Sequence, residues 1–313
     1  MLLCTYSLDL FAQEVRKESY EDGATKAEGA YNSSKIKTGQ WKYYYPNGKL
    51  EAEGSYSGKM EAVRQVVIRK GRNSAIEDDG MVREGKWTFY YTNGQPKASV
   101  TYKEGCPSGP LIKWYKTGEK MEQSSYEGCQ NLIDKKLWDK EGWLKQETIN
   151  EGNGRSVQIE WYKNGQKKAA VPYKKNKQYG RVKRWYSNGQ KEEDVMMKNT
   201  HVHGSYRSWY KNGNKQREFF SINNVMSGEY REWNEQGQLI WEITELTTEN
   251  KIEVVNYWPD GTIKMKGKST MPPSLSIHEW SQTRDGYWTY WYENNVTRSE
   301  KYSNGQLLTV EMP

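Results

Sequence analysis

Aliphatic residues are scarce in this chain. Leu, Ile, Val and Phe make up about 15% of its 313 residues, a level that by itself marks disordered sequences. No apolar run approaches the eighteen or more residues of a membrane-spanning helix. The three cysteines, Cys4, Cys106 and Cys129, form neither a metal-ligand spacing nor a dense disulfide framework. Cys106 and Cys129 fall in equivalent loops of neighbouring repeats, about two strand spacings or ~10 Å apart. A disulfide needs Cα atoms within about 7 Å, so a bridge here requires loop bending and an oxidising compartment. Histidine occurs three times. His201 and His203 share one side of a strand, but no third ligand lies near them, and no metal is expected.

What is present is aromatic. Fourteen Trp and twenty-four Tyr, each ring burying roughly 150–250 Å², supply the apolar surface that the aliphatics do not, and they recur at a constant phase. Turn glycines fall at Gly23, Gly48, Gly71, Gly94, Gly118, Gly142, Gly165, Gly189, Gly213, Gly237 and Gly261. A last copy puts Asn295 in the glycine position. Trp185-Tyr186-Ser187-Asn188-Gly189 and Trp209-Tyr210-Lys211-Asn212-Gly213 show the unit: a strand, an Asn-Gly turn and a return strand. A fixed period of this length outranks the two-domain expectation that chain length suggests. The expected fold is all-β, an elongated single-layer antiparallel meander of about twelve 24-residue β-hairpin repeats.

Residues 21–313 form the array on this reading. Around Gly71 the unit is degenerate, with Val63 to Ile68 replacing the rings. The interval from Gly261 to Asn295 holds an insertion within 268–285 that carries Pro272 and Pro273, which cannot continue a ladder. Residues 1–20 are a leader or N-terminal cap. Met1 to Gln13 resemble the tail of a secretory signal peptide interrupted by Asp9, which favours export, to the periplasm or cell surface, over a cytoplasmic location.

The pattern Gly-x-[Trp/Tyr/Val]-x-x-Trp-Tyr-x-Asn-Gly-x-x-Lys-x-Glu, repeated through most of residues 21–305, resembles the bacterial variant of the MORN repeat found in YwqK-type antitoxins. The resemblance implies a meander of hairpins acting as an interaction scaffold, and no enzyme.

Pro46 and Pro259 precede Asn47-Gly48 and Asp260-Gly261. Their place predicts a three-residue loop, a type I turn followed by a left-handed glycine. In that register the Trp four residues before each glycine shares a face with positions two, four and six after it. Trp114, Trp138, Trp161, Trp185, Trp209, Trp233 and Trp291 then form a packed ladder as the core, or alternatively line a groove. Tyr162, Tyr186 and Tyr210 occupy the other face, either as solvated structure or as a recognition row.

The net charge of +7 is unevenly spread. Between Gly154 and Arg217, sixteen Lys or Arg face four carboxylates, which hints at an anionic partner. The candidate partner-binding residues are Lys167, Lys168, Lys174, Lys175, Lys177, Arg181, Lys183 and Arg184, with Tyr162, Tyr186 and Tyr210. No catalytic constellation, cofactor motif or phosphate loop is present. The expectation is a monomeric, non-enzymatic scaffold for a protein partner, with a glycan, an anionic lipid or nucleic acid as alternatives.

Overall fold

A computed structural model describes residues 15–60, 80–129, 131–246, 251–270, 283–292 and 297–312. Residues 1–14 of the N-terminal leader or cap, the degenerate unit around Gly71, most of the 268–285 insertion and Asn295 lie outside the described residues, while Val15–Ser19 of that cap is a strand. The chain divides into two compact units, residues 1–149 and 150–313.

Among the described residues there is no α-helix, and strands follow one another as hairpins, as the repeat predicts. The first unit holds β1 (Val15–Ser19), β2 (Thr25–Tyr31), β3 (Lys37–Tyr44), β4 (Leu50–Met60), β5 (Met81–Tyr90), β6 (Pro96–Lys103), β7 (Cys106–Trp114), β8 (Lys120–Glu127), β9 (Asn131–Trp138) and the start of β10 (Leu144–Gly152). Each strand pairs antiparallel with the next. The second unit runs through β11 (Arg155–Trp161), β12 (Lys167–Lys174), β13 (Lys177–Gln178), β14 (Gly180–Trp185), β15 (Lys191–Lys198), β16 (His201–Trp209), β17 (Lys215–Ile222) and β18 (Val225–Trp233). It continues through β19 (Leu239–Leu246), β20 (Lys251–Tyr257), β21 (Ile263–Thr270), β22 (Arg284–Trp291), β23 (Thr297–Ser303) and β24 (Gln306–Glu311). Sequential antiparallel pairing holds here too, with β12 taking both β13 and β14.

The two ends of the hairpins use different turns. At the Asn-Gly end, the amide of Gly189 donates to the Tyr186 carbonyl (2.9 Å) and the amide of Tyr186 to the Gln190 carbonyl (2.8 Å). This is the three-residue loop anticipated from Pro46 and Pro259, with Gly48, Gly189 and Gly213 at φ 78, 87 and 92°. The other end, unremarked in the sequence, is closed by two-residue turns in which both residues are left-handed. Examples are Lys175-Asn176 (φ 49 and 62°), Asn199-Thr200 (52 and 72°) and Asn223-Asn224 (52 and 68°), the type I′ signature. A β-branched residue pays most in that conformation. Thr200→Gly is therefore expected to stabilise the protein by roughly 0.5–1 kcal/mol, the relief of strain being partly offset by a freer unfolded chain. Chemical denaturation monitored by circular dichroism checks this.

The core does not lie where the Trp ladder was expected. Each Asn-Gly turn adds one bulged residue, so Glu160 faces Ala169 while Trp161 faces Lys167. That slip places the Trp four before the glycine on the opposite face from positions four and six after it. Trp114, Trp138, Trp161, Trp185, Trp209, Trp233 and Trp291 are accordingly only half-buried. The fully buried indoles are Trp41, Trp87 and Trp288, seven positions before the turn glycine or its equivalent. Trp41 and Trp87 join Tyr43, Ala52, Tyr56, Phe89, Val100 and Tyr102 in the first unit. Trp288 joins Tyr230, Ile243, Ile252, Val254 and Met265 in the second.

These three indoles share one construction. Each follows a cation and a left-handed glycine, in Lys37-Thr38-Gly39-Gln40-Trp41, Arg83-Glu84-Gly85-Lys86-Trp87 and Arg284-Asp285-Gly286-Tyr287-Trp288. The glycine opens a bulge against the preceding strand, which bends the sheet. The cation lies over its own indole at 4.7, 5.1 and 4.9 Å from the ring centroid. Each ring lies on a glycine of the preceding hairpin, Gly29, Gly54 or Gly267, where any Cβ would come within 2.3 Å of ring carbons.

Candidate functional site

On the face of the second unit opposite the core, charge is interleaved rather than massed. Lys183, Arg207 and Arg231 stand in register with Asp194, Glu218 and Glu242. Arg207 Nε meets Glu218 at 2.7 Å and Arg231 Nε meets Glu242 at 2.8 Å. Hydrogen bonds from Lys215, reinforced by Arg207, hold the Glu218 carboxyl below its usual range despite partial burial. Asp194 takes Arg181 at 3.3 Å. On the core face, in the row of Ala169, Arg184 pairs with Glu193, and Lys168 reaches round to Glu160 at 3.7 Å.

A second row on the face opposite the core alternates Trp with Lys. Lys167 stands over Trp161 (5.8 Å to the centroid), Lys191 over Trp209 (5.0 Å) and Lys215 over Trp233 (5.3 Å). Trp161, Trp209 and Trp233 are therefore each capped by a lysine that follows an Asn-Gly turn, and do not present bare platforms.

The Tyr row is built into the scaffold as well. The hydroxyls of Tyr162, Tyr186 and Tyr210 donate to the carbonyls of Trp185 (2.9 Å), Trp209 (2.8 Å) and Trp233 (2.9 Å) in the next repeat. Burial, with Glu192 nearby, pushes the Tyr162 and Tyr186 phenols up, as befits donors. The turn asparagines run parallel to them: the side-chain amides of Asn164, Asn188 and Asn212 donate to Ser187, Lys211 and Glu235 (2.7, 2.9 and 2.6 Å).

What stays open is the type I′ edge. Lys175 occupies a turn, Lys174 and Lys177 flank it as a register pair, and Lys174 lies over the exposed Tyr179 ring at 5.1 Å. Further along the same edge, Phe220 and Ile222 are each 48% exposed and Val225, opposite Ile222, is 40% exposed. His201 and His203 lie between, bonded to Asn199 and Asn223 at 3.0 Å. No group of three or more potential metal ligands exists among the described residues. The structure thus brings Lys174, Lys175 and Lys177 together at this edge and distributes the other candidates over the opposite turn and the sheet face. Sequence reasoning missed Tyr179, Phe220, Ile222 and Val225. The Ile-Asn-Asn-Val run carried the signal, because two asparagines between β-branched residues mark a type I′ turn with apolar flanks.

This geometry is a repeated hairpin with a short period and a fixed turn. Residues 37–57, 83–104, 178–199 and 202–223 match the MORN repeat variant. MORN repeats are in general protein- or membrane-interaction modules. A comparison with curated proteins finds no match. Among solved structures, a Photorhabdus luminescens Tc holotoxin pore aligns at 11% identity over 93% of this chain and 16% of that one, with a TM-score of 0.20. A TcdB2–TccC3–Cdc42 complex aligns at 12% identity over 94% and 17%, also at 0.20. The chain thus spans about a sixth of those chains' length, and the superpositions are too poor to transfer an arrangement or an activity. No helix among the described residues is long and apolar enough to cross a membrane.

Proposed function

We propose that this chain is a non-enzymatic docking module whose partner is a protein segment that is acidic and carries large apolar side chains. The observation that carries the reading is the type I′ edge of the second unit. There, lysines with no carboxylate partner among the described residues share one edge with three exposed apolar side chains two turns further along. The Trp161, Trp209 and Trp233 rings, by contrast, are capped, and the Tyr162, Tyr186 and Tyr210 hydroxyls hold repeats together. Apolar contacts supply affinity and the lysines supply steering. An antitoxin role is the specific instance in which that partner is a toxin. The Cys106–Cys129 disulfide supports an oxidising compartment, and so export.

The test is a display selection of random peptides on the 313-residue chain. Selected peptides are expected to be rich in Asp or Glu and in large apolar residues, and to bind less tightly as salt rises. They should lose about tenfold or more in affinity to the triple reversal Lys174→Glu, Lys175→Glu, Lys177→Glu, and to Phe220→Ser with Ile222→Ser, with melting curves unchanged. Peptides that bind both variants as well as wild type would remove this edge from the account. Salt-sensitive binding to phosphatidylglycerol vesicles that is indifferent to Phe220 and Ile222 would replace the protein partner with an anionic surface.

A further inference from the structure

Along the Asn-Gly edge of the second unit, the three steps that start at Tyr162, Tyr186 and Tyr210 are each sealed twice, by a Tyr hydroxyl and an Asn amide, as at Tyr186 and Asn188. The next step, from the Gly237 turn, is sealed by the Gln238 side-chain amide, which donates to the Pro259 carbonyl at 2.6 Å. The step after that has neither device. Trp258 stands in the Tyr position and Asp260 in the Asn position. The Trp258 indole N–H reaches the Trp291 carbonyl at only 3.3 Å, and a carboxylate has no proton to donate to the next turn. The seam stays open as a cleft of about 830 Å³ lined by Trp258, Asp260, Ile263, Trp291 and Tyr292, within the size range of small-molecule sites. Tyr292 is 47% exposed and Ile263 37%.

We infer that this cleft binds a neutral saccharide, with a pyranose ring stacked among Trp258, Trp291 and Tyr292 and its hydroxyls donating to Asp260. The charges around the rings select the class. Lys264 Nζ covers one face of Trp258 at 4.2 Å from the centroid and repels a cationic ligand. Asp260 repels an anionic one. A purely apolar ligand would cover the Asp260 Oδ2 without giving it a donor, which is costly. A polyol with an apolar ring face meets all three conditions. Thr262 donates to Asp260 Oδ1 from its amide (2.9 Å) and its hydroxyl (2.6 Å), which fixes the carboxylate and leaves Oδ2 its acceptor capacity. The Thr262 bonds also hold this carboxyl below its usual range, so it is ionised and acceptor-only near neutrality.

The inference is independent of the lysine edge, whose turns lie at the other end of the sheet's strands and between β12 and β18, whereas the cleft is built on β20 to β22. Titration of the 313-residue chain with cellohexaose, chitohexaose, xylohexaose and maltohexaose, followed by tryptophan fluorescence, tests it. At least one should saturate with Kd below about 1 mM. Tyr292→Ala and Asp260→Asn should each weaken that binding about tenfold, with circular dichroism and melting curves unchanged. The triple lysine reversal should leave it unaltered. Absence of saturation with all four, binding that survives both cleft variants, or tighter binding of tetramethylammonium than of any sugar would overturn the inference.

Discussion

Gly54→Ala is expected to cost about 3 kcal/mol, the upper end of overpacking penalties, and to release Trp87 from its buried environment. A Cβ at residue 54 would stand 2.2 Å from Trp87 Cδ2 and 2.4 Å from two further ring carbons. The ring cannot withdraw. It is fully buried, stacked with Phe89 at 6.0 Å and edge-on to Tyr56 at 5.1 Å, and its N–H is bonded to the Ser55 carbonyl at 2.9 Å. Gly94→Ala provides the scale. Gly94 has φ 90° but nothing within 4 Å of its added Cβ, so only the left-handed backbone penalty applies, about 1 kcal/mol. Urea titrations of both variants, with the Trp emission maximum as the local probe, should show Gly54→Ala as the worse by a factor of two or more in free energy. The reverse order would mean that turn conformation, and not ring-on-glycine packing, dominates this unit.

Breaking the Cys106–Cys129 disulfide should destabilise the first unit by about 3 kcal/mol. The bridge closes a sequence separation of 23 residues, for which the loop-entropy relation gives roughly that figure. The sequence argument placed these cysteines two strand spacings apart. In the structure the register explains their meeting. Ser108 faces Glu127 across β7 and β8, and Gly109 faces Tyr126. Continuing that ladder past its last pair sets Cys106 opposite Cys129. Their Cα atoms are 4.5 Å apart, the spacing of a non-hydrogen-bonded antiparallel pair, so no loop has to bend. Cys106→Ser or dithiothreitol should lower the first unit's urea midpoint. Reduction without any shift would show that the thiols are unpaired in solution.

How far the sequence could be read depends on which features are local. Asn188-Gly189 with Pro46 and Pro259 encodes its turn within four residues, so the hairpins, the period and the left-handed glycines were all legible. The one-residue bulge beside each turn is equally local, yet its consequence is not. It reverses every later side chain on the strand, and the core moved from Trp161 and Trp185 to Trp41, Trp87 and Trp288. The pairing of Trp87 with Gly54 spans 33 positions and an irregular unit, so no short window reveals it. At the candidate site, the lysines were visible as composition. Which of them are neutralised depends on cross-strand partners, such as Glu218 for Arg207 and Asp194 for Arg181, and those follow only from the register. Tyr162, Tyr186 and Tyr210 read as a surface row because their acceptors are backbone carbonyls, which carry no mark in a sequence.

The central claim is that the protein partner docks at the type I′ edge while Tyr162, Tyr186 and Tyr210, with Trp161, Trp185 and Trp209 behind them, serve the scaffold. Amide hydrogen exchange with and without a selected acidic peptide tests it most directly. The account predicts new protection in residues 174–179, 198–203 and 220–227, with the segments around Tyr162, Tyr186 and Tyr210 unchanged. Protection confined to those tyrosine segments, or to the strand ends carrying Trp161, Trp185 and Trp209, would contradict it.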